Sequence, residues 1–183
     1  MSIITKLKNK IILHRALRND ETKRQYLRSL GCKVGDKTRF LGMISVGSEP
    51  YLVEIGEDCV FSGKVHFHTH DGGVKVLNSA GFFNGQRMDK VARIKIGNNC
   101  FVGNDVRIMM GVKIGSNCIV GAGSIVTHSV PDGCVVAGVP AKIICTIEEY
   151  YKKNLERGVF FPTPQMPKQK KKEYLINNVP TLE

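Results

Sequence analysis

This chain has no long apolar runs, so its sequence predicts no membrane-spanning helix. No stretch approaches the roughly 18 apolar residues that such a helix needs. Residues 1–20 interleave Ile and Leu with Lys and Arg, so they also lack the uninterrupted apolar segment of a secretory signal peptide. We therefore expect a soluble, cytoplasmic protein.

Paired cysteine motifs are missing as well. The six cysteines form no CxxC pair and none of the close spacings of a zinc ribbon, which argues against a structural zinc site. A disulfide framework is not expected in a reducing compartment, where such cysteines act as small buried hydrophobes. They are Cys32, Cys59, Cys100, Cys118, Cys134 and Cys145.

Acidic residues are scarce relative to basic ones. The chain has 27 Lys and Arg against 16 Asp and Glu, and its net charge is +11. The basic residues cluster at 6–28 and 165–172. Such clusters suit a polyphosphate cofactor, an anionic membrane surface or a nucleic acid, and they also occur as a solvated surface with a disordered tail. The motifs described below favour the cofactor, so we expect no nucleic-acid partner.

What the chain does contain is a period of six residues. From Ile96 it divides into the blocks IGNNCF, VGNDVR, IMMGVK, IGSNCI, VGAGSI and VTHSVP, each of which begins with Ile or Val. At an apolar content of 42%, six such matches arise by chance about once in two hundred trials per register. With interruptions, the same spacing joins seven more apolar residues: Val34, Phe40, Val46, Ile55, Phe61, Phe67 and Val136.

A period of six predicts an all-β fold, the left-handed parallel β-helix built from hexapeptide repeats. Each block forms a short strand and a turn, and three blocks close one triangular coil. The first residue of each block points inward, and the fifth is small or β-branched because it fits inside a corner. The fifth residues are Cys100, Val106, Val112, Cys118, Ser124 and Val130. Left-handed winding is an exception to the right-handed crossover rule.

The periodic region sets the expected domain organisation. We expect about five coils in residues 31–145, interrupted by a long loop at 71–93. Residues 1–30 are predicted to form a helical extension of one or two helices that ends at Gly31. This extension would cap the prism, fold over a binding site or lie on a membrane surface. Residues 146–183 should contain a short helix followed by a basic, loosely ordered tail from residue 162.

The segment from Ile94 to Ile144 resembles the hexapeptide-repeat acyltransferases, especially the galactoside, maltose, xenobiotic and polysaccharide O-acetyltransferases. The resemblance covers residues 34–145, and VGAGSIVT and AGVPAK are its most specific parts. It implies a homotrimer that binds acetyl-CoA in a cleft between adjacent prisms and needs no metal. It also implies a histidine, placed where a long loop leaves the coil, that deprotonates the acceptor hydroxyl.

Three alternating histidines precede the predicted loop in the segment HFHTH. The resemblance makes His70 the general base, since the loop begins immediately after it, and His68 the second candidate. His66 is expected at the surface or at a subunit contact. All three could also be merely interfacial. Because Phe67 occupies an inward position, His66 and His68 should face outward.

Acceptor contacts are expected from three polar residues. Many family members have Pro directly after the histidine. This chain has Asp71 there, as some polysaccharide acetyltransferases do, and this favours a glycan acceptor. Glu49, in a three-residue insertion one coil earlier, is a candidate for contact with the acceptor or with the histidine. Asn84 lies in the long loop and is the third candidate.

The resemblance also implies a set of coenzyme-binding residues. Backbone groups of the GAGSIVT segment would line the pantetheine arm, a polar residue one coil earlier would join them, and a lysine would meet a coenzyme phosphate. An aromatic wall is usually Trp in the sugar acetyltransferases, but this chain has no Trp and carries Phe there. The residues are Gly121, Ala122, Thr127, Asn104, Lys142 and Phe101.

Other functions remain open at this point. The same fold and base would serve N-acetylation of an amino sugar or a xenobiotic. A γ-carbonic-anhydrase-like zinc protein shares the prism, but its histidine spacings differ from the alternating run here. A non-catalytic module that binds polyanions is supported only by the charge.

Overall fold

The computed structural model describes residues 19–181. Any helix in residues 2–18 therefore lies outside the described residues. Within them, short strands alternate regularly among three sheets as the chain advances. This order winds the chain around a three-sided prism, as the period of six predicts.

The three sheets are parallel except at one edge. The first contains β1 (Lys33–Val34), β4 (Val53–Ile55), β7 (Ile94–Ile96) and β10 (Lys113–Ile114). The second contains β2 (Arg39–Phe40), β5 (Val60–Phe61), β8 (Phe101–Val102), β11 (Ile119–Val120), β13 (Cys134–Gly138) and the antiparallel β14 (Ala141–Thr146). The third contains β3 (Ile44–Ser45), β6 (Val65–His68), β9 (Arg107–Met109) and β12 (Ile125–Val126). Four coils thus place a strand in every sheet, and Val130, which bridges to Ile114, begins a partial fifth.

The core fills the inside of the prism. All thirteen residues predicted to begin a block are buried, and so are the six fifth residues, which confirms both inward positions. In the first two coils Phe61 stacks on Phe40, with ring centroids 5.4 Å apart, and packs against Phe67 at a tilt, with centroids 5.9 Å apart. Each large apolar side chain buried in this way contributes about 1.5–3 kcal/mol.

Buried cysteines stack along the corner between the first and second sheets. Their thiols donate to carbonyl oxygens of the next coil: Cys59 Sγ to Gly97 O at 3.1 Å, Cys100 Sγ to Gly115 O at 3.0 Å and Cys118 Sγ to Pro131 O at 3.1 Å. Five of the six cysteines are buried, as predicted. Cys145 is only partly buried, because β14 pairs at the edge of the second sheet rather than inside the prism.

The segment 71–93 leaves the third sheet and returns to the first, and hydrogen bonds join its two ends. His70 pairs with Val91, the Asp71 N–H donates to Lys90 O at 2.8 Å, and the Ala92 N–H donates to Thr69 O at 3.0 Å. The expectation of a plain loop was incomplete, since the segment contains helix α2 (Val74–Ser79). No proline or glycine interrupts VKVLNS, so the chain can form this short helix after two glycines.

Helix α1 (Asp20–Ser29) packs against the first coil. Asn19 caps it by accepting from the Thr22 N–H, and Leu27 is buried in the core. Arg24 donates to the carbonyl oxygen of Thr38 at 2.8 Å. The chain leaves the helix through Gly31, whose φ of +99° lies in the left-handed region, and this confirms the predicted helix end.

Two helices follow the prism. Helix α3 (Ile147–Glu156), which was predicted, begins with a reciprocal capping box between Thr146 and Glu149. The loosely ordered tail was wrong over residues 168–178, where α4 (Lys168–Asn178) forms. Its sequence is rich in good helix formers and contains neither Gly nor Pro. Among the helices within residues 19–181, none is long and apolar enough to cross a membrane.

Candidate active site

The candidate site lies at the corner where the chain passes from the third sheet to the first. Strand β6 carries the histidine run to this corner with Val65 and Phe67 buried. His66 and His68 are partly exposed, which confirms their outward orientation. His70 follows at the base of the 71–93 segment. One coil earlier, the three-residue insertion places Glu49 at the same corner, just before a 3₁₀ turn (Pro50–Leu52).

Glu49 contacts His70 directly. Its Oε2 lies 2.9 Å from His70 Nδ1 and also accepts from Thr69 Oγ1 at 2.8 Å. A carboxylate only accepts hydrogen bonds, so Nδ1 is the donor in this contact, and the neutral form of the ring carries its lone pair on Nε2. The hydrogen bonds from His70 and then Thr69 hold the pKa of the Glu49 carboxyl below its ordinary value. The corner therefore presents an oriented imidazole whose Nε2 has no hydrogen-bond partner within residues 19–181.

Thr69 is a part of this arrangement that the sequence reasoning missed. Its side chain is fully buried, and its backbone oxygen also holds the returning Ala92. The hydroxyl faces inward from a strand whose other inward side chains, Val65 and Phe67, are apolar. A polar residue at an inward position, two residues after Phe67, was the signal that could have found it.

His68 stands in a different environment. Its Nε2 is buried and has no hydrogen-bond partner among residues 19–181. Burial, followed by the neighbouring His66 and Arg107, lowers the pKa of the His68 imidazole below its ordinary value. The rings of His66 and His68 stack with centroids 6.2 Å apart. The carboxylate of this corner thus contacts His70 and leaves His68 without an orienting partner.

Asp71 and Asn84 have separate surroundings. Asp71 accepts from Lys90 Nζ at 2.7 Å and from the Gly73 N–H at 2.8 Å, so it ties the two ends of the segment together. Lys90 chiefly lowers the pKa of the Asp71 carboxyl. Asn84 lies in an exposed turn with a φ of +50°. Within the described chain no hydrogen bond ties the Asn84 side chain to the corner.

Four of the predicted coenzyme residues lie along the third sheet and its edges. Asn104 and Ala122 stand at the corner between the second and third sheets, where Asn104 Oδ1 accepts from the Gly63 N–H at 2.7 Å. The backbone oxygen of Gly121 accepts from Ser124 Oγ at 2.6 Å. The fourth, Thr127, is exposed just beyond β12, and its hydroxyl lies 2.9 Å from the ring of the next residue.

Phe101 and Lys142 lie on the second sheet, away from the His70 corner. Phe101 is 42% exposed and lines a shallow groove of about 450 Å³ with Val60, Ile119 and residues of α3. Lys142 is exposed on β14. A single chain therefore places Phe101 and Lys142 on a different face from the oriented histidine. Within residues 19–181, no group of three or more His, Cys, Asp or Glu side chains is arranged to hold a metal ion.

Comparison with known proteins gives the same assignment to the periodic region. The family profile "Hexapeptide repeat of succinyl-transferase" matches residues 93–128. Protein CapG of Staphylococcus aureus is 43% identical over 153 residues, which is 82% of this chain and 86% of the relative. The chain belongs to the hexapeptide-repeat acyltransferase family. As a member of this family it is an enzyme.

One further relative and one solved structure are themselves named as acetyltransferases. The putative lipopolysaccharide biosynthesis O-acetyl transferase WbbJ of Escherichia coli is 34% identical over 96 residues, 50% of this chain and 49% of the relative. The Vibrio cholerae hexapeptide-repeat acetyltransferase VCA0836, solved with acetyl-CoA, is 21% identical with a TM-score of 0.56 over 75% of this chain and 84% of that chain. The structural match shows the fold, a left-handed parallel β-helix.

Proposed function

We propose that the protein transfers an acetyl group from acetyl-CoA to a sugar hydroxyl of a glycan, such as the precursor of a surface polysaccharide. The observation that carries the proposal is the oriented His70 at the exit of the 71–93 segment. Family membership supports the acyl transfer. The names of two relatives support a glycan acceptor. One is WbbJ, and the other is the polysialic acid O-acetyltransferase of Escherichia coli, which is 38% identical over 69% of this chain and 41% of the relative.

In this proposal His70 is the general base. Its Nε2 takes the proton of the acceptor hydroxyl while the hydroxyl oxygen attacks the thioester carbonyl carbon. The tetrahedral intermediate then expels the coenzyme thiolate, and the imidazolium gives this thiolate the proton that it took from the acceptor. Glu49 stabilises the imidazolium between these steps. Base assistance of this kind contributes about 10² to 10⁴ in rate.

The proposed transfer is direct, without an acyl-enzyme or a metal. Backbone N–H groups would hold the oxyanion of the intermediate. Asp71 and Asn84 remain proposed acceptor contacts, although Asp71 already holds Lys90. If Asp71 contacts the acceptor, it does so while keeping the base of the segment closed.

We propose a homotrimer with acetyl-CoA bound between neighbouring prisms. Phe101 and Lys142 lie on a different face from His70 within one chain, and a neighbouring subunit would bring such a face to the histidine. The other coenzyme contacts would be Asn104, Gly121, Ala122 and Thr127. Mixing two inactive variants, His70→Ala and Phe101→Ala, should restore partial activity, because some clefts of the hybrid would combine two intact faces. Failure of every mixture to exceed the parent activities would contradict the shared cleft.

The donor is tested by thermal unfolding with and without acetyl-CoA. Coenzyme at 100 times its Kd should stabilise the folded protein by about 2.7 kcal/mol. For a chain of this size that corresponds to a rise in Tm of about 5 to 11 °C. Release of the coenzyme thiol on addition of a glycan pool, with a product ester that mild alkali removes, would support O-acetylation. An alkali-stable product would point to an amino-sugar nitrogen as the acceptor instead.

A further inference from the structure

The outer face of the first sheet carries a row of cations. Four outward-facing residues are paired with one another across the neighbouring strands of this sheet. In order they are Lys33 of β1, Glu54 of β4, Lys95 of β7 and Lys113 of β10. Neighbouring strands lie about 4.8 Å apart, so the four positions span about 14 Å. Arg93 stands beside this row, with Nη1 3.6 Å from Glu54 Oε1. We call Lys33, Arg93, Lys95 and Lys113 the basic row.

The carboxylates here do not neutralise the basic row. Glu54 is recessed, with its side chain 22% exposed, and lies 3.1 Å from Lys33 Nζ and 3.8 Å from Lys95 Nζ. The cations reach outward, with side chains 61% to 75% exposed for Lys33, Arg93 and Lys95. Asp132 also lines the face, but its Oδ1 accepts from the Ser116 N–H at 2.8 Å. Four cations against two carboxylates leave an excess of positive charge.

The basic row approaches the candidate active site at Arg93. Arg93 follows by two residues Val91, whose backbone pairs with His70. From there the row borders a shallow groove of about 390 Å³ that is lined by Lys33, Lys95 and Lys113. Arg93, which directly precedes β7, lies between this groove and the corner where the base stands, so it would attract a chain that extends from the groove toward that corner. Exposed cations in a line attract a partner whose negative charges are also arranged in a line.

We propose that the basic row binds an acidic glycan, a chain with repeated carboxylate groups, as the acceptor. The inference rests on the proposed acetyl transfer and names the charge of its acceptor. Three of the four cations are lysines, which act as mobile point charges and do not impose the planar geometry of a bidentate guanidinium. That adaptability suits a flexible series of carboxylates. Because the cations form a single line, the surface fits one extended glycan chain.

The test compares two matched oligosaccharides, oligogalacturonate and its carboxyl-reduced neutral counterpart. At low ionic strength the wild-type protein should bind the acidic form at least about ten-fold more tightly, with a preference that weakens as salt is added. The double variant Lys95→Gln/Lys113→Gln should lose about three- to ten-fold of that affinity, because each exposed charge contact contributes modestly. The control Lys152→Gln/Lys170→Gln removes the same charge from α3 and α4 and should bind as the wild type does.

Three results would overturn the inference. These are equal binding of both oligosaccharides by the wild type, an equal loss in the control variant, or a loss of acetyl-CoA affinity in the Lys95→Gln/Lys113→Gln variant. The last result would assign the row to the phosphates of the coenzyme. Thermal shifts with acetyl-CoA on the same samples separate this inference from the proposed function. A wild type that ignores acetyl-CoA would refute the acetyl transfer, whatever the glycan measurement shows.

Discussion

Replacing Glu49 with Gln removes the charge beside His70 and leaves the shape of the site almost unchanged. Thr69 Oγ1 donates to the oxygen that also contacts His70 Nδ1, and this should fix the carboxamide with its oxygen toward both groups. The ring then keeps its orientation and its free Nε2. What disappears is the attraction between a carboxylate and the imidazolium that forms when the acceptor proton is taken.

The size of the effect follows from the contact. A hydrogen bond to a charged group contributes about 1.5–3 kcal/mol, against about 0.5–1.5 kcal/mol for a neutral one. The His70 and Glu49 side chains are 46% and 21% exposed, so solvent screening places the effect near the low end of this difference. We expect kcat to fall about five-fold. Glu49→Ala also removes the orientation of the ring and should cost about 10²-fold.

The assay is thiol release under saturating acetyl-CoA, with the acceptor concentration varied to separate kcat from KM. Glu57→Gln is the matched control, since Glu57 accepts from the Lys37 N–H on another corner and should leave both constants unchanged. A Glu49→Gln variant with unchanged kcat and a raised KM for the acceptor would refute the reasoning. That result would assign Glu49 to acceptor binding.

Three further predictions concern the surroundings of the site. Thr69→Val should lower kcat several-fold, while Thr69→Ser, which keeps the hydroxyl, should retain the wild-type rate; equal losses would make the role of Thr69 purely structural. Phe61→Ala should destabilise the protein by about 3–5 kcal/mol in chemical denaturation, because Phe61 is fully buried between two other rings. The pKa of Asp71 is lowered, so its contribution to stability is present above its ordinary value of 3.8 and is lost as the pH falls through the lowered pKa. The Tm difference between wild type and Asp71→Asn should accordingly be constant near neutral pH and shrink in acid; a difference that persists at the lowest pH would contradict the Lys90 pairing.

The prism could be predicted from the sequence because its geometry repeats every six residues. Each block repeats the same inward and corner positions, so the burial of Phe40 or Val136 follows from spacing alone. The position of His70 at the base of the long segment follows from the same count. Where the period stops, prediction failed: helix α4 was missed because a lysine-rich composition was read as disorder, although its residues favour a helix.

The spacing predicted Glu49 as a contact of the histidine or of the acceptor, but it could not choose between the two. Glu49 and His70 lie in different coils, and only the stacking of those coils brings a carboxylate oxygen within 2.9 Å of the ring. The basic row has the same origin. Its lysines are far apart in sequence, and the register between β1, β4, β7 and β10 aligns them. The reach and direction of the side chains, which the spacing does not encode, decide both features.

The central claim, that His70 is the base of an acetyl transfer, is tested most directly by comparing His70→Ala with His68→Ala. Thermal shifts with acetyl-CoA first establish that both variants fold and bind the donor. The account predicts that thiol release falls about 10²- to 10⁴-fold in His70→Ala and stays within a few-fold of wild type in His68→Ala. Full activity in a folded, coenzyme-binding His70→Ala variant would contradict it.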